Sequence, residues 1–239
     1  MTPPTTGRSM AARRAGREVP WIDPGDLRVG ILGGTFDPIH YGHLAIAEQV
    51  REALALDRVL FVPAAQPPHK LDEELAPAAD RAAMVALAIA GNQHFSLSEI
   101  ELERDGPSYT ADTLAELADE TARQGVARDL YFILSTEALA DLRRWHEPDR
   151  VLELARLAVV ARPGAPLPDA TQLADMLPGG AASLARAERV ETVPLAYSSS
   201  DVRRRAAGGR SIRYLVPAAV EAYIRDRRLY RSQNPRRTA

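Results

Sequence analysis

The sequence contains no cysteine. That removes disulfides, thiolate zinc sites and cysteine nucleophiles together, and it suits a reducing cytoplasm, the expected location. Lysine is nearly missing too, since all but one of the 30 basic residues are arginine and Lys70 is the exception. No apolar run reaches the roughly 18–20 residues that a membrane-spanning helix needs. Neither sign of charge dominates. The formal net charge is −2, so nothing in the balance points to a nucleic-acid or acidic-membrane partner. Arg8, Arg13, Arg14 and Arg17 have no apolar stretch behind them, which argues against a secretory signal. Residues 1–26 read as a disordered tail, because Pro3, Pro4, Pro20 and Pro24 come with little to bury. An organelle transit peptide is the alternative reading of that basic start.

What remains is an ordinary globular composition. Of 239 residues, 46% are apolar and 26% charged, enough for a sizeable core. Arg28-Val-Gly-Ile-Leu32 is a short apolar run stopped by Gly33-Gly34, as expected of a buried strand entering a tight loop. From Leu44 to Ala55 the residues Leu44, Ala47, Val50 and Leu54 share one helical face, with Glu48, Gln49, Arg51 and Glu52 opposite. The pattern repeats: Val59 to Val62 reads as a strand, and Ala78 to Ala90 as a helix with Met84, Leu87 and Ala88 inward. Phe95 to Glu103 reads as a strand whose Glu99, Glu101 and Glu103 alternate with Ile100 and Leu102. Leu114, Leu117, Ala118 and Thr121 mark another helix face. Leu130 to Leu134 and Leu157 to Val160 are continuous apolar runs, as in strands covered on both sides.

Strands alternating with helices predict an α/β fold, a Rossmann-like, mostly parallel sheet with helices on both faces. No internal repeat or linker divides the chain. The expectation is one domain over 27–230, with 231–239 a loose tail. In such sheets ligands bind beyond the carboxyl ends of the strands, where strand order reverses. The loop after the first strand is therefore the first place to look.

That loop reads Gly33-Gly-Thr-Phe-Asp-Pro-Ile-His-Tyr-Gly-His43. Gly33 and Gly34 put no side chain between backbone and ligand, so amides around Phe36 can approach phosphate oxygens. Thr35 adds a hydroxyl. His40 and His43, three apart at a helix start, can face one way over a terminus that favours anions. Gly42 keeps the crowded turn open. Displacement at an α-phosphate spreads negative charge over phosphoryl oxygens, and donors held against them lower its barrier. A His-x-x-His pair also suggests zinc, but only Asp37 stands nearby as a further ligand. No metal site is assigned.

Near the C-terminus, Tyr197-Ser-Ser-Ser-Asp-Val-Arg203 precedes a helical stretch. By itself this is an ordinary capped helix with a basic face. Paired with the first loop, the amides and serines of this helix start, with Arg203, make a natural clamp for the β- and γ-phosphates of a triphosphate.

These two motifs resemble the nucleotidylyltransferase superfamily and, more narrowly, bacterial nicotinate-nucleotide adenylyltransferases. The likeness continues through Pro67-Pro-His-Lys70, Asp80-Arg-x-x-Met84, Gly106-Pro-Ser-Tyr-Thr110, Trp145, Ser211-Ile-Arg-Tyr-Leu-Val-Pro217 and Leu229-Tyr230. The resemblance implies direct adenylyl transfer from ATP, with Mg²⁺, to nicotinate mononucleotide, giving deamido-NAD and pyrophosphate in NAD biosynthesis. It implies that His40 and His43 stabilise the α-phosphate, Thr35 contacts phosphate, and Ser199 and Arg203 hold the β/γ end. Thr110 would meet the nicotinate carboxylate, Trp145 would stack on the cationic pyridine ring, and Lys70 would reach substrate phosphate. The chain departs from the family where Gly-Ala-Asp is usual and Ser135-Thr136-Glu137 stands instead, with Glu137 on the adenosine side. Tyr197 replaces the usual Ile, and the N-terminal extension is also outside the pattern.

Other readings stay open on the residues alone. A nicotinamide-mononucleotide or dual-specificity adenylyltransferase differs only in accepting a carboxamide. A non-catalytic nucleotide-binding homologue would keep the loop without turnover. The oligomeric state is open as well, a homo-oligomer included.

Overall fold

The apolar runs become strands because each must satisfy two faces at once. In β2 (Arg58–Pro63), Val59 and Phe61 enter one core cluster while Leu60 and Val62 enter the other. The same division holds in β4 (Asp129–Ser135), where Tyr131 and Ile133 face one way and Leu130, Phe132 and Leu134 the other. Successive side chains in a strand point to opposite faces, so a strand covered on both sides has no polar phase.

The structure, a computed structural model, describes residues 25, 27–68, 73–161, 166–193 and 195–231. Of the tails expected over 1–26 and 231–239, all but residues 25 and 231 lie outside the described residues. Among the described residues six strands pair in the order β3-β2-β1-β4-β5-β6, all in parallel. Besides β2 and β4 these are β1 (Arg28–Gly34), β3 (Phe95–Leu97), β5 (Arg156–Val160) and β6 (Ala187–Val190). One face is covered by α1 (Tyr41–Ala53), α2 (Ala78–Ile89), α7 (Ser199–Ala207) and α8 (Ala218–Arg227), which bury Val50, Met84, Val202 and Val220. The other is covered by α3 (Thr110–Arg123), α4 (Thr136–Asp141), α5 (Pro148–Leu154) and α6 (Ala170–Met176), which bury Leu114, Leu139, Val151 and Leu173. No helix among the described residues is long and apolar enough to cross a membrane.

The chain builds outward from β1 to β3, then crosses back to lay β4 on the other side of β1. Strand order therefore reverses between β1 and β4, and the crevice opens at their carboxyl ends. Gly33 and Gly34 belong to β1, paired with Val62 and Pro63, so the strand runs two residues further than the apolar run.

Two local expectations need correction, and one strand was unforeseen. Only Phe95–Leu97 forms a strand; beyond it the chain turns, with the Leu102 and Glu103 amides bonded to Glu99 O. The alternation of Glu99, Glu101 and Glu103 is therefore not an outer strand face, and Glu101 is 7% exposed. Leu87 points outward, 40% exposed, because the inward stripe of α2 runs through Arg81, Met84, Val85 and Ile89. The strand β6 has no apolar run to betray it, since it lies at the edge of the sheet and buries only Val190.

Candidate active site

The first loop leaves β1 at the reversal and delivers two imidazoles to the start of α1. His40 precedes the helix in extended conformation, and His43 lies in its first turn. Their rings stack, with centroids 3.7 Å apart and planes inclined by 18°. The His40 amide donates to His43 Nδ1 at 3.3 Å. A nitrogen that accepts carries no proton, so this bond places the ring hydrogen of His43 on Nε2, as a donor. His40 is 6% exposed. Gly42 leaves the space between them open, because a Cβ there would press on the His40 ring at 3.0 Å and Tyr197 Cβ at 3.2 Å. The tyrosine that departs from the family pattern thus packs beside His40, ring centroids 6.2 Å apart.

Phe36 sits behind the histidines. It is buried, with φ 48° in the left-handed region, and its ring meets that of His43 edge-on at 5.1 Å. Gly34 lies under the same ring, where a Cβ would come within 3.2 Å. A bulky residue rarely takes such a backbone conformation unless its surroundings impose it.

Those surroundings come from the far end of the chain. Ser199 Oγ donates to Pro38 O at 2.9 Å, and Arg203 Nη1 to Asp37 O at 2.7 Å. Asp37 is 1% exposed; its Oδ1 accepts from Tyr230 Oη at 2.7 Å and Ala76 N at 3.4 Å. Its Oδ2 has no hydrogen-bond partner among the described residues and lies 3.7 Å from Arg203 Nη1. Burial, then the adjacent carboxylate, pushes the Tyr230 phenol well above its ordinary range. The serines do not cap α7 as the sequence suggests, since Ser198 at the cap position makes no side-chain cap bond. The Ser199 hydroxyl is spent on the loop instead.

Beside this cluster lies a cleft of about 600 Å³, within the usual size range of small-molecule sites. Gly33, Gly34 and Thr35 form one wall; Ser108, Tyr109, Thr110, Trp145 and His146 form the other. Thr110 opens α3, so its amide is among those a helix leaves unbonded for an anion. Trp145 is held edge-on to Phe132, ring centroids 6.0 Å apart. Tyr109 and His146 face each other at 4.4 Å.

The fold thus gathers Gly33, Gly34, Thr35, Thr110 and Trp145 into one cleft and sets Phe36, His40, His43, Ser199 and Arg203 in the adjoining cluster. It does not bring Glu137 to the cleft. Ser135 ends β4 and caps α4, accepting from Ala138 N at 3.3 Å, and Glu137 is exposed one residue inside that helix. Ala138 and Asp141 of the same helix line the cleft instead. Lys70 lies outside the described residues.

Two buried charges were not singled out in the sequence. Arg81 is 1% exposed and donates to Thr35 O, Ala65 O and Ala76 O. Burial lowers its pKa, with Asp37 opposing, yet an arginine stays cationic. Its signal was present, as a charge on the apolar stripe of α2. Glu101 accepts from Thr113 Oγ1 at 2.7 Å in the cleft wall, and burial raises its pKa while bonds from Thr113 and Ser108 oppose. Its signal was masked by the apparent strand alternation.

A family model described as cytidylyltransferase-like matches residues 31–205. A "Probable nicotinate-nucleotide adenylyltransferase" of Roseiflexus sp. (strain RS-1) is 54% identical over 203 residues, covering 85% of this chain and 98% of that protein. A protein of the same name from Thermus thermophilus is 46% identical over 211 residues, covering 86% and 100%. Among solved structures, the Plasmodium falciparum nicotinic acid mononucleotide adenylyltransferase complexed with NaAD aligns with a TM-score of 0.69 at 18% identity, over 85% of this chain and 97% of that one. At that identity the likeness is one of fold.

Proposed function

The chain belongs to the cytidylyltransferase-like family, among its nicotinate-nucleotide adenylyltransferases, and from that premise we propose how its residues carry the reaction. It transfers the adenylyl group of ATP to the phosphate of nicotinate mononucleotide, releasing pyrophosphate and giving nicotinate adenine dinucleotide, a step of NAD biosynthesis. The observation that carries the residue assignment is the stacked pair His40 and His43, seated on a loop that Ser199 and Arg203 hold from behind and bordered by the Thr110–Trp145 cleft.

The mononucleotide phosphate attacks the α-phosphorus in line, and the bond to pyrophosphate breaks on the opposite side. No group on the protein becomes covalently attached. Charge grows on the phosphoryl oxygens, and His43, donating from Nε2, stabilises it together with His40. Gly33, Gly34, Thr35 and Phe36 present backbone and hydroxyl donors along the triphosphate. Arg203 and the backbone amide of Ser199, in the first turn of α7, serve its β/γ end; a guanidinium has five N–H donors, so holding Asp37 leaves capacity for an anion. Across the cleft, the Thr110 amide takes the pyridine carboxylate and the Trp145 indole stacks on the cationic ring.

Mg²⁺ enters as MgATP, where it shields the triphosphate charge. Phosphate oxygens and water would be its ligands, as is usual for this ion with nucleotide substrates. A pyrophosphate-release assay with ATP and Mg²⁺, run in parallel on nicotinate and nicotinamide mononucleotides, tests this reading. Strong preference for the nicotinate form is expected. Equal use of the two would make the enzyme dual-specific, and silence with both would overturn the assignment.

A further inference from the structure

Arg81 heads the fully buried side chains of the described residues by volume. A charge in the interior persists only where bonds replace its water. Its partners are backbone carbonyls, contributed by separate segments at the carboxyl end of the sheet. Nη1 donates to Thr35 O at 2.7 Å in the loop after β1, and Nη2 to Ala65 O at 3.2 Å in the loop after β2. Nε donates to Ala76 O at 3.0 Å, just before α2.

The first bond has a directional consequence. In a trans peptide the C=O of one residue and the N–H of the next point opposite ways. Drawing Thr35 O toward the interior therefore turns the Phe36 N–H away from it, in the segment where Phe36 is left-handed. Successive amides in such a segment make an anion-binding concavity.

The second bond continues across the site. Ala65 N donates to Ser108 Oγ at 3.0 Å, and Gln66 N to the same oxygen at 3.3 Å. Ser108 lies two residues before Thr110, in the opposite wall of the cleft. Thr35, Arg81, Ala65 and Ser108 thus form one bonded path from the triphosphate side to the mononucleotide side.

We propose that Arg81 is a positioning residue for the transfer, whose buried guanidinium fixes the distance between the two walls so that attacking phosphate and α-phosphorus meet. This rests on the adenylyl-transfer reading above. Arg81 touches neither substrate in this scheme, so its loss weakens alignment more than it weakens either binding step.

The test is R81K, which keeps the charge but replaces a flat fork with a compact ammonium unable to serve the same carbonyls. Its kcat should fall about 100-fold, the scale of a misalignment near 1 Å. ATP and mononucleotide affinities, each measured alone by calorimetry, should stay within about threefold of wild type. Should R81K fail to fold, S108A loosens Ala65 from the other side and should give the same division between kcat and affinity. Near-normal kcat in a folded R81K or S108A would overturn the proposal. So would affinities for both substrates that decline in step with kcat, the mark of a general scaffold. Wild-type turnover is the reference, and its absence would instead count against the adenylyl-transfer reading.

Discussion

Replacing Tyr230 by phenylalanine should destabilise the protein by about 2 kcal/mol, within the range of about 1–3 kcal/mol for leaving a buried acceptor unsatisfied. The ring and its packing stay; only the hydroxyl that donates to Asp37 Oδ1 at 2.7 Å is lost. That oxygen would keep the Ala76 amide at 3.4 Å, near the outer limit of a hydrogen bond. Oδ2 already lacks a hydrogen-bond partner among the described residues. In a chain of this length about 2 kcal/mol corresponds to roughly 4–8 °C in melting temperature. Thermal melts at neutral pH, with urea titration as the second measure, read the difference. Alkaline melts check its origin. Because the folded phenol has a raised pKa, its contribution is complete below its unfolded value of about 10 and falls as pH rises beyond it. Phenylalanine does not titrate, so the gap between wild type and variant should narrow above about pH 10. A melting temperature within about 1 °C of wild type at neutral pH would refute the argument.

Other expectations concern the cleft and its donors. His43→Ala should lower kcat by about 100- to 1000-fold with little change in melting temperature; near-normal kcat would sink the assigned role. Trp145→Ala should raise the mononucleotide Kd about tenfold, between the exposed and desolvated sizes of a cation–π contact, and spare ATP. Equal loss for both ligands would remove the stacking assignment. The raised pKa of Glu101 means that its folded-state contribution is greatest below about pH 4.3 and declines as pH rises to neutrality. Glu101→Gln does not titrate, so its melting temperature relative to wild type should climb between about pH 4 and pH 7. A constant or shrinking difference would show that burial is not what governs this carboxyl.

The central strands were legible because covering them on both faces leaves a plain signal, an unbroken apolar run. The edge strands were not. β6 buries only Val190, and β3 ends after Leu97 although the glutamate alternation continues beyond it. For the site, local chemistry was legible and long-range support was not. Glycines, hydroxyls and histidines within eleven residues announce a phosphate loop by their spacing. That Asp37 would be met by Tyr230 and Arg203 is a matter of tertiary geometry, with partners 193 and 166 residues away. The buried Arg81 left a trace as a charge on an apolar helix face. Glu101 left none, because its alternating neighbours imitate a strand.

The reach of the first loop across the chain also bears on how the enzyme comes to be made. Its histidines lie in the first quarter of the sequence, while the groups that seat them, Ser199, Arg203 and Tyr230, lie in the last. Synthesis proceeds from the N-terminus, and early segments can begin to fold before late ones exist. A nascent chain that has already laid β4 beside β1 therefore owns the reactive imidazoles without their seat. The seat is complete only with the closing segment, so a chain ended short of Tyr230 lacks the hydroxyl that meets Asp37 beneath the loop.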